Sequence, residues 1–488
     1  MAILNKRLLA VTLLCLSATQ AAAEPVRGFW LSPDWILPSP SAEPLDPARA
    51  REAVSGVLDR LKDLRVNTLF METFLRGYSI APMPDRSGRA LPVYSLTRLP
   101  QGHDLLSIVL DEASKRGMNV QAWVHVLFWK TDNPERVRPH HIGSTIWDDV
   151  VVKYLKEGAS RLTGTNSQLV TAAADLIARQ GMDDHALAQL ARNAGLDPNR
   201  DGVLNSFVKV LANAGVPPPS FLVTTPSGEL HVPGTKDPWM TLYLNPEDPT
   251  VLSRVTSIVE RVSNSYPGLA GIHIDHIRYP KGPLSLPSEL SGLRVGMTFS
   301  GNESNGLYRK WKKCLALREK VITALARRIK DVVRDGQALS AAVHPLYYFE
   351  RDEWASTLSA DDFVSQDWYA WGIDLAVPMV YDSDAARVGR ILKRHRFGLR
   401  ETWGDGARTA VAPGVNKFRL IQKGASGGLN SWVYFDFDGL RAIMNRTTPG
   451  DRQTAQRVKE TPDTDALVDA RLYSTDEDEV DRPSDTMD

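Results

Sequence analysis

Eight short apolar runs recur along this chain between Glu24 and Gly450, and most are separated by stretches of helical periodicity. The runs cover residues 27–32, 68–74, 119–126, 271–277, 339–345, 374–381, 409–416 and 429–437, each of strand length. Between the first two, 46–64 opens with Asp46-Pro47, a helix cap and a first-turn proline. It then places Ala50, Val54, Val57, Leu58 and Leu61 on one stripe. The stretch 104–116 is followed by Gly117, a residue type that ends helices, and 249–266 and 309–334 read similarly. Strand and helix alternating eight times predict an α/β chain folded as a (β/α)8 TIM barrel. Such barrels carry their reactive groups at the C-terminal ends of the strands, which directs the search for chemistry there.

Three segments stand outside that pattern. Residues 1–23 read as a signal peptide: Lys6 and Arg7 precede the short apolar run 8–16, and Ala21-Ala22-Ala23 offers a cleavage site. The run is too short to span a bilayer, and no later stretch is long and apolar enough, so a periplasmic or secreted protein without a membrane span is expected. Residues 148–220 interrupt the barrel after its third strand. They are rich in Ala and Leu, lack tryptophan in a chain that has 12, and end in Pro217-Pro218-Pro219. This predicts a helical insertion on the active-site face, dividing the barrel into 24–147 and 221–449. The tail 450–488 replaces periodic apolar residues with acids, Ser, Thr and Pro and is expected to be disordered. Its last 28 residues hold ten acids against two arginines, a net of −8, so the overall formal charge of zero leaves +8 on the remainder. That is too mild for a nucleic-acid binder.

The strand ends supply the candidate site. In Gly271-Ile272-His273-Ile274-Asp275, alternation puts His273 and Asp275 on the face opposite the two isoleucines, pointing into the barrel. A buried carboxylate needs a partner or a function; Asp275 serves either as a reactive group or as the ion-pair partner of Arg278. Asp382 lies just past the sixth strand, as a second carboxyl or as a helix cap with Ser383 and Asp384. Glu72 ends the second strand close to Arg76, as a further acid or as that arginine's ion pair. Glycoside cleavage requires two carboxyl groups across the scissile bond, and Asp275 with Asp382 or Glu72 provides them. Asp382 has the better position, because Tyr381 and Trp432 offer it an apolar setting while Arg76 lies near Glu72. Aromatic residues are frequent at these ends, among them Trp30, Trp123, Tyr279, Tyr381 and Trp432. Their flat faces suit sugar rings, with Arg76, His125, His273 and His344 available to bind hydroxyls.

Taken together these segments resemble the secreted barrels of the glycosyl hydrolase-like 10 family. The matching pieces are Arg27-Gly28-Phe29-Trp30-Leu31, Val66-Asn67-Thr68-Leu69-Phe70, His103-Asp104-Leu105-Leu106, Lys115-Arg116-Gly117, Ala122-Trp123, Leu244-Asn245-Pro246, Gly271-Ile272-His273-Ile274-Asp275 and Ala376-Val377-Pro378-Met379-Val380-Tyr381. The resemblance implies a (β/α)8 barrel acting on a β-glycan of the cell envelope, such as peptidoglycan glycan strands or an exopolysaccharide, with Asp275 as the strand-four carboxylate. The family's second acid, which follows that aspartate, is replaced here by His276. A two-carboxyl mechanism needs neither cofactor nor metal.

Two other classes compete. A metal-dependent hydrolase would draw ligands from His125, His273, Asp275 and His344. A non-catalytic glycan-binding barrel would keep the cleft and dispense with the acids. Within the insertion, Asp197-Pro198-Asn199-Arg200-Asp201-Gly202 has the oxygen spacing of a calcium loop, but Val208 stands where its twelfth, acidic ligand belongs. A capped helix-turn-helix is the alternative reading of that stretch.

Overall fold

The computed structural model describes residues 25–37, 45–83, 91–94, 97–137, 144–225, 227–231, 239–280, 306–345, 365–380, 385–403, 409–415 and 431–435. The signal segment, Tyr381, Asp382 and the acidic tail lie outside these described residues.

Twelve strands are described: β1 (Arg27–Leu31), β2 (Thr68–Leu75), β3 (Tyr78–Ser79), β4 (Asn119–His125), β5 (Phe128–Thr131), β6 (Thr241–Tyr243), β7 (Gly271–Asp275), β8 (Ala338–Val343), β9 (Leu375–Pro378), β10 (Ala410–Val411), β11 (Gly414–Val415) and β12 (Trp432–Tyr434). The main sheet is a curled parallel sheet in the order β10-β9-β8-β7-β4-β2-β1-β12-β11. Its two ends come from one stretch of chain, since β10 pairs with β9 and β11 pairs with β12. The segment 410–415 thus joins the two edges of the sheet. It does so as two short pieces where one strand was expected, because Pro413 between them has no N–H to donate. The Pro413 carbonyl still accepts from Val433, at 2.8 Å.

Three of the helices that cover the sheet begin where the sequence predicts. α1 (Pro33–Ile36) is a single turn; α2 (Pro47–Asp63) and α3 (Leu105–Ser114) are capped by Asp46 and Asp104, whose side chains accept from Ala48 N and Ser107 N. Five helices fill the interval between β5 and β6: α4 (Asp148–Ala159), α5 (Gly164–Gln180), α6 (Asp184–Asn193), α7 (Pro198–Asp201) and α8 (Val203–Ala212). Then follow α9 (Pro249–Ser265), capped by Asp248, α10 (Gly306–Val332) and α11 (Ala385–Trp403).

Strand alternation divides the core in two. Phe29, Leu31, Leu69, Met71, Val120, Ala122, Ile272, Ile274, Leu339 and Ala341 pack outward against the helices. Trp30, Phe70, Trp123, Ala342, Leu375, Val377, Ala412, Val433 and Phe435 fill the inside of the sheet. Gly271 begins β7 because a side chain there would strike the Ala338 carbonyl of β8.

The ribbon of β5 and β6, paired antiparallel, rises from the C-terminal end of β4 and carries the five helices. Asp132, fully buried, accepts from Leu204 N (2.7 Å) and Asn205 N (3.1 Å) at the start of α8, and from His231 Nε2 at 3.0 Å. Lys130 of β5 pairs with the buried Asp184 of α6, and Asp149 of α4 binds Arg254 of α9. In the calcium-like stretch, Asp197 caps α7 through Arg200 N, Asp201 pairs with Lys209, and Asn205 bonds to the Asp201 carbonyl and to Leu230 N. These oxygens are used by the fold, which makes the stretch a capped helix-turn.

Candidate active site

The C-terminal ends of β2, β4 and β7 bring Glu72, His125 and Asp275 to the inside of one mouth. β4 lies between the other two, with Trp123 in register with Glu72 and His125 in register with Asp275. Two inter-strand spacings, about 10 Å in all, separate the backbones of the acid-bearing strands.

Asp275 is 6% exposed and held by two donors. Trp123 Nε1 donates to Oδ2 at 3.1 Å, and the backbone N–H of His276 donates to Oδ1 at 2.6 Å. The second bond depends on the left-handed backbone of His276 (φ 50°), which turns its N–H back toward the carboxylate. Arg278, the ion-pair partner considered from sequence, lies with its guanidinium 6.0 Å from the Tyr243 ring centroid. Glu72 is also buried. Its Oε2 accepts from Ser32 Oγ at 2.6 Å, and its Oε1 lies 3.1 Å from His125 Nε2. The Arg76 guanidinium stands 6.0 Å from the centroid of Phe128. His125 is enclosed by Trp123, His276 and Phe128, with ring centroids at 5.1, 5.2 and 6.0 Å.

His273 lies one layer deeper than Asp275 and is completely buried. Trp30 Nε1 donates to its Nε2 at 2.9 Å. An indole is only a donor, so Nε2 must be the acceptor and Nδ1 carries the hydrogen. That hydrogen goes to Ser340 Oγ at 2.7 Å, and the serine hydroxyl donates on to Gln121 Oε1. Burial pulls the imidazole down to about 3, so it is neutral. Both ring nitrogens are occupied inside the sheet, which removes His273 and its partner Trp30 from the expected glycan-contacting set.

The other expected residues separate by position. His344, just past β8, is tied by its backbone N–H to Gln366 Oε1 (2.8 Å) and by its carbonyl to Trp368 Nε1 (3.2 Å). Tyr279 is buried with the Arg318 guanidinium 4.6 Å from its ring centroid. Trp432 is corrected outright: it starts β12, in register with Arg27 at the opposite end of the sheet, and belongs to the outer core. The inward neighbours Val433 and Phe435 carried the alternation signal that assigns Trp432 outward. Asp382 and Tyr381 lie outside the described residues. Sequence reasoning missed Ser32, which follows β1 directly and stands two positions beyond the inward Trp30. It also missed the part played by the His276 backbone. Among the described residues, no group of three or more His, Cys, Asp or Glu converges as metal ligands.

The arrangement combines two buried carboxylates with a histidine on the strand between theirs, packed beside Trp123 and Phe128. Comparison with known proteins adds a limited likeness. No family model matches the chain. Over 114 residues the chain is 36% identical to glycosyl hydrolase DigH of Escherichia coli (strain K12), a stretch equal to 22% of this chain. The same holds for the protein of that name from Shigella flexneri. The chain thus spans about a quarter (26%) of the length of the curated relatives it matches. Among solved structures, Eubacterium rectale Amy13B covers 85% of this chain and 66% of its own length, at 10% identity and a TM-score of 0.39. The Bacillus cereus spore cortex-lytic enzyme SleL covers 80% of this chain and 53% of its own, at 10% identity and a TM-score of 0.32.

Proposed function

We propose that this chain is an exported glycoside hydrolase of the cell envelope, of the glycosyl hydrolase-like 10 type, with a complete (β/α)8 barrel as its scaffold. Its substrate is a polysaccharide, peptidoglycan glycan strands or a related polymer. Asp275 is the central carboxylate, and Glu72 or Asp382 supplies the second carboxyl. The observation that carries this reading is the hold on Asp275. A buried carboxylate at a strand end, each oxygen fixed by a donated N–H, is oriented before substrate arrives. It faces the positive charge that develops on the anomeric carbon as the glycosidic bond opens. The partial match to a protein named a glycosyl hydrolase supports the same class.

Asp275→Asn tests it. The amide keeps the shape and one acceptor while removing the negative charge. Release of soluble fragments from peptide-free glycan strands should fall at least 1000-fold, with the melting temperature within a few degrees of wild type. Unchanged cleavage, or a variant that fails to fold, would make Asp275 structural; absence of cleavage by the wild-type chain itself would leave a glycan-binding barrel as the better account.

A further inference from the structure

We infer that His125 is a positioning residue that works through Glu72, so that the pair, braced by Ser32, serves as the acid/base opposite Asp275. The inference rests on the glycosidase reading and adds the identity of the second group. Three observations carry it. β4 lies between the strands bearing the two acids, and His125 is the register partner of Asp275. His125 Nε2 lies 3.1 Å from Glu72 Oε1, while Ser32 Oγ donates to Oε2, so each oxygen of Glu72 has a polar neighbour. The His125 side chain has no exposed surface, whereas that of Glu72 keeps 5%, so the imidazole can meet substrate only through the carboxyl.

The proton balance follows. As the glycosidic C–O bond breaks, Glu72 gives its proton to the leaving oxygen, and the carboxylate left behind already faces the imidazole and the serine hydroxyl. The water that hydrolyses the sugar places its OH on the anomeric carbon and returns its proton to Glu72. The other charged or titratable groups described at this mouth are Asp275 at the end of β7 and His276 just beyond it, His273 beneath them, His344 beyond β8, and Arg76 beside Phe128.

His125→Gln keeps a hydrogen-bond donor and removes the titration. The alkaline limb of kcat/KM on peptide-free glycan strands should move to lower pH. At neutral pH kcat should fall about 10- to 100-fold with KM nearly unchanged. A limb that stays in place overturns the inference while leaving Asp275 intact; loss of the Asp275→Asn effect overturns the glycosidase reading instead. An activity-independent readout guards against a silent or misfolded variant. In wild type, the imidazole resonance of His125 is followed by NMR against pH, then again in Glu72→Gln. The resonance should respond to the loss of the neighbouring carboxylate. An unchanged resonance means the imidazole does not act through Glu72, and the inference fails.

Discussion

At the residue scale, the mouth and the interior of the sheet look alike in sequence but differ in chemistry. His273 and Asp275 share a face, two positions apart. One is locked in a neutral tautomer by Trp30, and the other is held as an acceptor by Trp123 and a backbone N–H. Alternation makes the shared face legible, because period two needs no knowledge of tertiary structure. Depth is not legible, since it depends on the stagger of neighbouring strands, which is set by pairings such as His125 with Asp275. Trp30 tests the distinction. If it is an interior donor, Trp30→Phe leaves His273 Nε2 buried without its hydrogen bond and costs about 1–3 kcal/mol of stability. The melting temperature should fall by several degrees, with KM for glycan strands within threefold of wild type. A tenfold rise in KM at unchanged melting temperature would place Trp30 in contact with sugar.

At the element scale, the strands and capped helices were legible because their signals are local. Asp46, Asp104 and Asp248 each cap the helix that follows, and each of the eight strand-like runs overlaps a described strand. The β5–β6 ribbon was not legible. Its strands lie more than a hundred residues apart, and Lys130 and Thr131 break the apolar pattern that marks a strand. The long-range cap on α8 was hidden for the same reason: Asp132 serves a helix that begins 71 positions later. Asp132→Ala removes the acceptor for two buried N–H groups and a partner of His231, so it should cost about 2 kcal/mol or more. Limited proteolysis should then cut within 148–231 before the sheet, while the wild-type chain resists. Equal protease resistance in both proteins would show that the Lys130–Asp184 and Asp149–Arg254 links hold the helices without the cap.

At the scale of the whole molecule, buried histidines set how the fold responds to acid. His273 inside the sheet and His395 of α11, whose Nδ1 meets Tyr369 Oη at 2.9 Å, are both pulled down to about 3 by burial. An unfolded chain binds their protons near pH 6.5, and the folded chain does not until about pH 3. Between those values the unfolded state holds more protons, so stability is complete above pH 6.5 and is lost as pH falls toward 3. Asp148 acts in the opposite sense. Desolvation raises its carboxyl to about 6, against the Thr145 bonds that favour the charged form, so the folded state binds its proton first. Its contribution to stability therefore grows as pH drops from 6 toward 4. Each titrating group changes the slope by about 1.4 kcal/mol per pH unit, and two histidines outweigh one aspartate. The melting temperature should vary little with these groups above pH 7 and decline steadily below 6.5. His395→Gln keeps an acceptor for the tyrosine and removes one of the two protons, so its decline should be visibly shallower. Asp148→Asn removes the opposing group, and its decline between pH 6 and 4 should be steeper than that of wild type. Parallel curves for wild type and His395→Gln would mean that His395 takes up its proton in the folded state, and that the acid sensitivity has another source.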